Sequence, residues 1–303
     1  MDAPDLTPAE AFAAYESVRS RLPAPPPVAG ACRAAASLDA LAGQFDVFLL
    51  DAFGVLNIGE TAIPGVVERL RGLRASGKRM IVLTNAASFP TGELVAKYRR
   101  LGYDFAADEV ISSRDALRAA LAGQAARRWG VMIPEGASLA DIPGKALLPL
   151  GDDAAPYAEA EGFLLLGSGG WTLARQARLE AALARDPRPV LVGNPDIVAP
   201  REAGFTIEPG RFAHLCADRT PVVPRFYGKP FPDVYAMAFE RLGQVDRSRV
   251  VMVGDSLHTD VLGARVAGVA AALVTGWGFW SGVDPGPAIR ASRLAPDFLL
   301  ERP

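Results

Sequence analysis

One stretch constrains this chain more than any other: Phe45-Asp46-Val47-Phe48-Leu49-Leu50-Asp51-Ala52-Phe53-Gly54-Val55-Leu56. Val, Phe and Leu crowd it with no polar alternation, the pattern of a strand buried on both faces of a parallel sheet. Asp51 falls at the carboxyl end of that strand, the edge where open α/β sheets bind ligands. Gly54 lets the chain turn away sharply. A carboxylate held there needs a cation, a hydrogen-bond donor or water beside it.

Three more stretches repeat the pattern. Arg79-Met80-Ile81-Val82-Leu83 ends in Thr84-Asn85, Val250-Val251-Met252-Val253-Gly254 ends in Asp255, and Ala271 to Gly276 is a fourth strand. Between the first two strands, Val66, Val67, Leu70 and Leu73 recur at helical spacing after Ile63-Pro64, and Gly77 is a natural stop. Strand, helix, strand at this spacing predicts a right-handed βαβ unit. Helices are also expected from Gly92 to Arg100, after Pro232-Asp233, and from Val261 to Val266.

From Asp104 to Phe205 the texture changes. Short strands (Gly130 to Ile133, Phe163 to Leu166, Val190 to Val192) alternate with Ala-rich helices such as Trp171 to Ala184 and with frequent Gly and Pro. This predicts a second α/β module inserted into the first. The expected division is 1–28 for an amino-terminal helix and linker, 29–103 with 206–303 for a doubly wound core, and 104–205 for the insert. In the first segment Thr7, Pro8 and Glu10 form a capping box, Phe12, Tyr15 and Val18 follow at helical spacing, and Pro23, Pro25, Pro26 and Pro27 make a stiff linker.

Half of the 303 residues are hydrophobic, ample for a large core. The net charge of -2 comes from intermixed acids and bases, with no basic stripe for nucleic acid or an anionic membrane. No apolar run reaches membrane-spanning length, and Met1 to Ser20 lacks the apolar core of a signal peptide. Cys32 and Cys216 are too few and too far apart for a disulfide framework, so a cytoplasmic location is expected.

The strand ends bring chemistry with them. If the strands are neighbours, Asp51, Asp255 and the Thr84 hydroxyl share one crevice. Two carboxylates that close repel, and staying ionised together suggests a bound cation; carboxylates, carbonyls and water suit Mg²⁺. Lys229, between Gly228 and Pro230, is placed to join them. Such a cradle neutralises a phosphoryl group while a carboxylate attacks phosphorus.

The ordered segments Asp51-Ala-Phe-Gly-Val, Leu83-Thr84-Asn85, Gly228-Lys229-Pro230 and Gly254-Asp255-Ser256-Leu-His-Thr259-Asp260 resemble the haloacid dehalogenase-like hydrolase superfamily. The insert, with Gly193-Asn194-Pro195-Asp196, resembles that of its NagD-like sugar and nucleotide phosphatases. The likeness spans about residues 40 to 280. It implies a Rossmann-like core with a mobile α/β cap and Mg²⁺-dependent hydrolysis of a small phosphorylated metabolite through an aspartyl phosphate. Homodimers through the cap are compatible with it. Residue by residue, Asp51 matches the nucleophile, Lys229 the charge-stabilising lysine, and Thr84 the phosphate-binding hydroxyl with Asn85 ordering its loop. Asp255 and the Phe53 backbone carbonyl match metal ligands, with Asp260 and Ser256 in support. Asn194 and Asp196 match the cap loop that faces the site.

One position departs from the pattern. Two residues after the nucleophile these phosphatases usually place a second Asp, which protonates the leaving group and activates water. Here that residue is Phe53. General acid–base catalysis typically contributes ~10²–10⁴-fold. The expectation is slow turnover, a need for good leaving groups, or a replacement acid. His258 is one candidate for that role, an exposed loop histidine being the simpler reading. Two alternatives follow: carbon–halogen hydrolysis by Asp51, and a non-catalytic binding protein on the same scaffold. Other residues have plainer readings. Gly167 to Gly170 reads as a turn into the next helix, and Trp277, Phe279 and Trp280 as core packing or a subunit contact.

Overall fold

The computed structural model describes residues 6–26, 32–202 and 204–303. Its amino-terminal half contains α1 (Pro8–Ser17), β1 (Arg33–Ala35), β2 (Val47–Leu50), β3 (Asn57–Ile58), β4 (Thr61–Ala62), α2 (Val66–Ala75) and β5 (Arg79–Thr84). Then come α3 (Thr91–Arg100), β6 (Val110–Ser112), α4 (Ser113–Ala122), β7 (Arg128–Met132), β8 (Ala146–Pro149), α5 (Ala155–Glu159) and β9 (Gly162–Leu165). The chain continues through α6 (Leu173–Arg185), β10 (Val190–Val192), β11 (Val198–Pro200), β12 (Phe205–Ile207), α7 (Pro209–Arg219) and β13 (Arg225–Phe226). It ends with α8 (Pro232–Leu242), β14 (Val250–Gly254), α9 (Leu262–Ala267), β15 (Ala270–Val274), α10 (Gly286–Ser292) and β16 (Phe298–Leu300).

The larger sheet has seven strands in the order β1-β16-β15-β14-β2-β5-β6, all pairs parallel. All four residues of β2 are buried, as a strand covered on both faces requires. Val47 and Leu49 face a cluster with Val234, Tyr235 and Leu262. Phe48 and Leu50 face the opposite cluster with Val66, Leu70 and Leu94. Helices therefore cover both faces, and the sheet is a doubly wound, Rossmann-like α/β sheet. On one side of β2 the chain winds toward β5 and β6, on the other toward β14, β15 and β16. That reversal opens a crevice at the carboxyl ends of β2 and β14.

A second parallel sheet runs β13-β10-β9-β7-β8. One face packs on α6 and α7 through Phe163, Leu165, Leu179, Leu183 and Phe212. From the other face Leu164 and Leu166 join the same apolar cluster as Leu49 and Leu83 of the first sheet. The antiparallel hairpin β11–β12, with Val198 opposite Ile207, extends from the second module.

The sheet pairings cross the expected division of the chain at both ends. β6, expected in the insert, pairs with β5, and β13, expected in the core, is the edge strand of the smaller sheet. Edge strands of two or three residues are too short to show a period, so only their pairing reveals where they belong. The boundary at 28/29 and Pro27 of the linker lie outside the described residues. α1 begins with the expected reciprocal capping box of Thr7 and Glu10. No helix among the described residues is long and apolar enough to cross a membrane.

Candidate active site

β14, β2 and β5 lie side by side, with Val253 opposite Leu50 and Leu50 opposite Val82. This register puts Asp255, Asp51 and Thr84 at one edge. Asp51 and Thr84 are held by their own strand ends, Asp255 by the loop after β15. The Asp51 carboxylate accepts the Ala52 N–H at 2.7 Å, and the Thr84 hydroxyl accepts the Ala86 N–H at 3.2 Å. Asp255 accepts the Phe279 N–H at 2.8 Å. Gly54, at φ 75°, lies so close over Asp255 that an added Cβ would sit 2.3 Å from its carboxylate oxygen. Gly278 would collide with the same oxygen at 2.0 Å. Only glycine permits so close an approach in this conformation.

Lys229 is almost wholly buried, with its ammonium 2.7 Å from Asp51 and 2.7 Å from Asp260. The other Asp260 oxygen accepts the Ser256 N–H at 3.0 Å. Burial alone would push the lysine down, but Asp260 and Asp51 together hold its pKa above the usual lysine value. Burial pushes Asp51 up to about 7 against the pull of Lys229, with Asp260 adding to the rise. Burial and then the charges of Asp51 and Asp260 raise Asp255 well above the carboxylate range. One ammonium therefore faces three carboxylates, Asp255 and Asp260 buried and Asp51 partly so, an excess of negative charge that a divalent cation relieves. Asp51, Asp255 and Asp260 offer oxygens within 4.8 Å of one another, a hard-oxygen donor set that fits Mg²⁺. The buried Ser256 hydroxyl beside them has no partner among the described residues.

A cavity of about 310 Å³ opens over this edge. Asp51, Phe53, Thr84, Asn85, Lys229, Asp255 and Ser256 line it from below, and Asn194 and Asp196 line it from the second module. Asn85 joins the two sides. Its amide donates to Asp196 at 2.8 Å and to the Lys229 carbonyl at 2.8 Å, and its oxygen accepts the Lys229 N–H at 2.8 Å. Asn194 accepts the Asp196 N–H at 3.0 Å and donates to Glu208 at 3.1 Å. Asp260 does not line the cavity; it stands behind Lys229.

His258 departs from the expectation. It neither lines the cavity nor is exposed. Its ring stacks on Tyr15 of α1 at 5.0 Å and meets Glu16 at 2.5 Å. Burial lowers its pKa, partly offset by Glu16. The residue anchors α1, and an acid/base role is excluded by where the ring points. Phe279 and Trp280 are buried against α1 and β12 rather than presented to a partner.

Among the lining residues that local sequence pattern does not reveal are Tyr15, Arg201, Lys97 and Glu208. Tyr15 reaches the cavity from α1, and its hydroxyl accepts the Ile197 N–H at 3.1 Å. Arg201 and Lys97 stand over the Phe53 ring at 4.7 Å and 5.3 Å from its centre. Glu208 accepts from Arg201 and Thr206 as well as Asn194. Tyr15 and Lys97 lie inside helices, and Arg201 and Glu208 follow strands of only three residues, too short to show a period. Only the fold brings them to the crevice.

The chain matches the family described as haloacid dehalogenase-like hydrolase over residues 48–141, and a second, HAD-hydrolase-like, family over residues 226–300. It is 30% identical over 265 residues to the D-glycerol 3-phosphate phosphatase of Mycobacterium tuberculosis, covering 86% of this chain and 72% of that one. Among solved structures it is similar to a possible sugar phosphatase of the HAD superfamily from Cytophaga hutchinsonii. There the TM-score is 0.78 at 22% identity, over 90% of this chain and 98% of the other. It also shares its fold with NagD of E. coli K-12, with a TM-score of 0.63 at 23% identity, over 86% and 97% of the two chains. The glycerol phosphatase relationship, the two family matches and the strand-end acids agree: this chain belongs to the haloacid dehalogenase-like hydrolases and is built in the NagD-like manner.

Proposed function

We propose that this hydrolase is a phosphatase acting on a small phosphorylated metabolite, of the size of a glycerol or sugar phosphate, with Asp51 as nucleophile and the second module as its cap. The observation that carries the reading is Lys229, buried and 2.7 Å from both Asp51 and Asp260 at the floor of the shared cavity. The named activity of the glycerol phosphatase relative supports it.

In this reading the Asp51 carboxylate attacks phosphorus. The ester P–O bond breaks, leaving an aspartyl phosphate that water then hydrolyses. Lys229 favours the ionised form of Asp51 and offsets charge on the phosphoryl oxygens, while the Thr84 hydroxyl donates to one of them. Asp51, Asp255 and the Phe53 carbonyl would hold Mg²⁺, which supplies charge to offset repulsion between an anionic nucleophile and an anionic substrate. Asn194 and Asp196 would meet the substrate from the cap side.

A phosphate-release screen over glycerol and sugar phosphates, with Mg²⁺ or with EDTA, tests this. Turnover is expected with Mg²⁺ and lost in EDTA. Asp51→Asn should lower kcat by at least ~10³-fold, as removal of a nucleophile does. Unchanged turnover in Asp51→Asn would remove the proposed nucleophile. Halide release from 2-haloacids that survives EDTA would replace the reading with carbon–halogen hydrolysis.

A further inference from the structure

Phe53 stands where a proton donor is expected, and its ring has no proton to give. An alkyl phosphate ester expels a basic oxygen, so its hydrolysis calls for another acid near the leaving group. Outside the Asp51, Asp255 and Asp260 cluster, four carboxylates line the cavity among the described residues: Glu60, Glu93, Asp196 and Glu208. Glu60 and Glu93 are exposed at the rim, and Glu60 pairs with Lys97 at 2.7 Å. Glu208 has both oxygens engaged, one by Thr206 at 2.7 Å and Arg201 at 3.2 Å, the other by Asn194 at 3.1 Å.

Asp196 is different. Its Oδ1 accepts from Asn85, the one hydrogen bond its side chain makes among the described residues. Its backbone is held on both sides. The Asp196 N–H donates to the Asn194 side chain, and the next N–H, that of Ile197, donates to the Tyr15 hydroxyl. The Asn85 amide that holds Asp196 also binds the backbone of Lys229, whose ammonium touches Asp51. One carboxyl oxygen is thus unengaged, on a residue that lines the cavity and whose side chain is tied to the nucleophile's lysine through a single amide.

We infer that Asp196 is the acid and base of the reaction, taking the role that Phe53 cannot fill. The inference rests on the phosphatase reading of the same site. As Asp51 attacks, the electron pair of the breaking P–O bond goes to the ester oxygen, which takes the proton of the Asp196 carboxylic acid and leaves as the alcohol. The Asp196 carboxylate then removes a proton from a water whose oxygen attacks the aspartyl phosphate. The bond between phosphorus and Asp51 breaks with its pair returning to the Asp51 carboxylate. Inorganic phosphate is released and Asp196 is again protonated. Burial pushes Asp196 up to about 8, against the pull of Asn85 and Lys229, so it holds a proton at neutral pH as the first step requires.

The test compares kcat/KM of the full chain with Mg²⁺ on 2,4-dinitrophenyl phosphate, whose leaving group needs no proton, and on glycerol 3-phosphate, whose leaving group does. Asp196→Asn is expected to lose ~10²–10⁴-fold on the alkyl ester and less than about tenfold on the aryl ester. Adding Phe53→Asp to that variant is expected to restore alkyl ester turnover. Equal losses on both esters, or none, overturn the inference. So does a selective alkyl loss in Glu208→Gln but not in Asp196→Asn. Should Asp196→Asn fail to fold, the wild type decides: a steep fall in rate as leaving groups become more basic means no donor acts, and the inference fails. No turnover even of the dinitrophenyl ester overturns the phosphatase reading, and the inference with it.

Discussion

Lys229 is where the smallest scale governs the rest. A buried ammonium stable between two carboxylates is worth more as a positioning device than as a source of stability, because desolvation cancels much of the attraction. Removing it leaves Asp51 and Asp260 facing each other without a cation. Lys229→Gln is expected to cost about 3 kcal/mol in urea denaturation and to lower kcat by ~10²–10³-fold, the loss typical of one oriented donor. A variant of wild-type stability and turnover would contradict both roles. At this scale Asp51, Asp255 and Lys229 were legible in the sequence, because an acid at the end of an apolar run and a lysine between Gly and Pro are local patterns. His258 was not. Its partners Tyr15 and Glu16 lie at the other end of the chain, and the bond to Glu16 spans 242 positions. Nothing within a few residues of the ring announces them.

Among the elements, the long interior strands were the most legible and the edges the least. β2, β5, β14 and β15 are buried on both faces and spell that out as unbroken apolar runs. β1 has two exposed residues of three, and β13 is two residues long, so neither carries a pattern. α7 offers a prediction of its own. His214 is buried, stacks on Phe226 at 4.8 Å, and has a ring nitrogen with no partner. Burial lowers its pKa to about 4, with Arg21 nearby acting in the same direction. An unfolded histidine takes up its proton near 6.5, whereas the folded one resists until about 4, so the unfolded chain binds more protons in between. The contribution is complete above pH 6.5 and is lost as pH falls to about 4; it is of order 3 kcal/mol. His214→Leu should give a shallower acid limb of stability in urea titrations from pH 7 to 4. An unchanged limb would mean that the ring is hydrated.

For the molecule as a whole, the cavity belongs to neither module alone. Asp51, Thr84 and Asp255 come from one sheet, Asn194 and Asp196 from the other, and Tyr15 from α1, which touches both through His258 and Ile197. A cation held between the ends of β2 and β14 would bind the folded chain and not the unfolded one. Mg²⁺ at a hundred times its dissociation constant is expected to add about 2.7 kcal/mol to stability, read as a rise in Tm. Without metal, Asp255→Asn removes one of the crowded buried carboxylates and should not lower Tm. With metal, it should gain nothing. A Tm that rises equally in wild type and variant would place the ion elsewhere.

By itself the sequence determined the class of sheet and the order of the strand-end acids. Burial on both faces and a carboxylate at a strand's end are properties of a few consecutive residues. Tertiary structure alone decided which groups meet. It aimed His258 at α1 and away from the cavity, gave β6 and β13 to sheets on the other side of the expected boundary, and joined Asn85 to Asp196 across 111 positions. Such contacts follow from the path of the chain between their partners, and no local pattern of residues encodes that path.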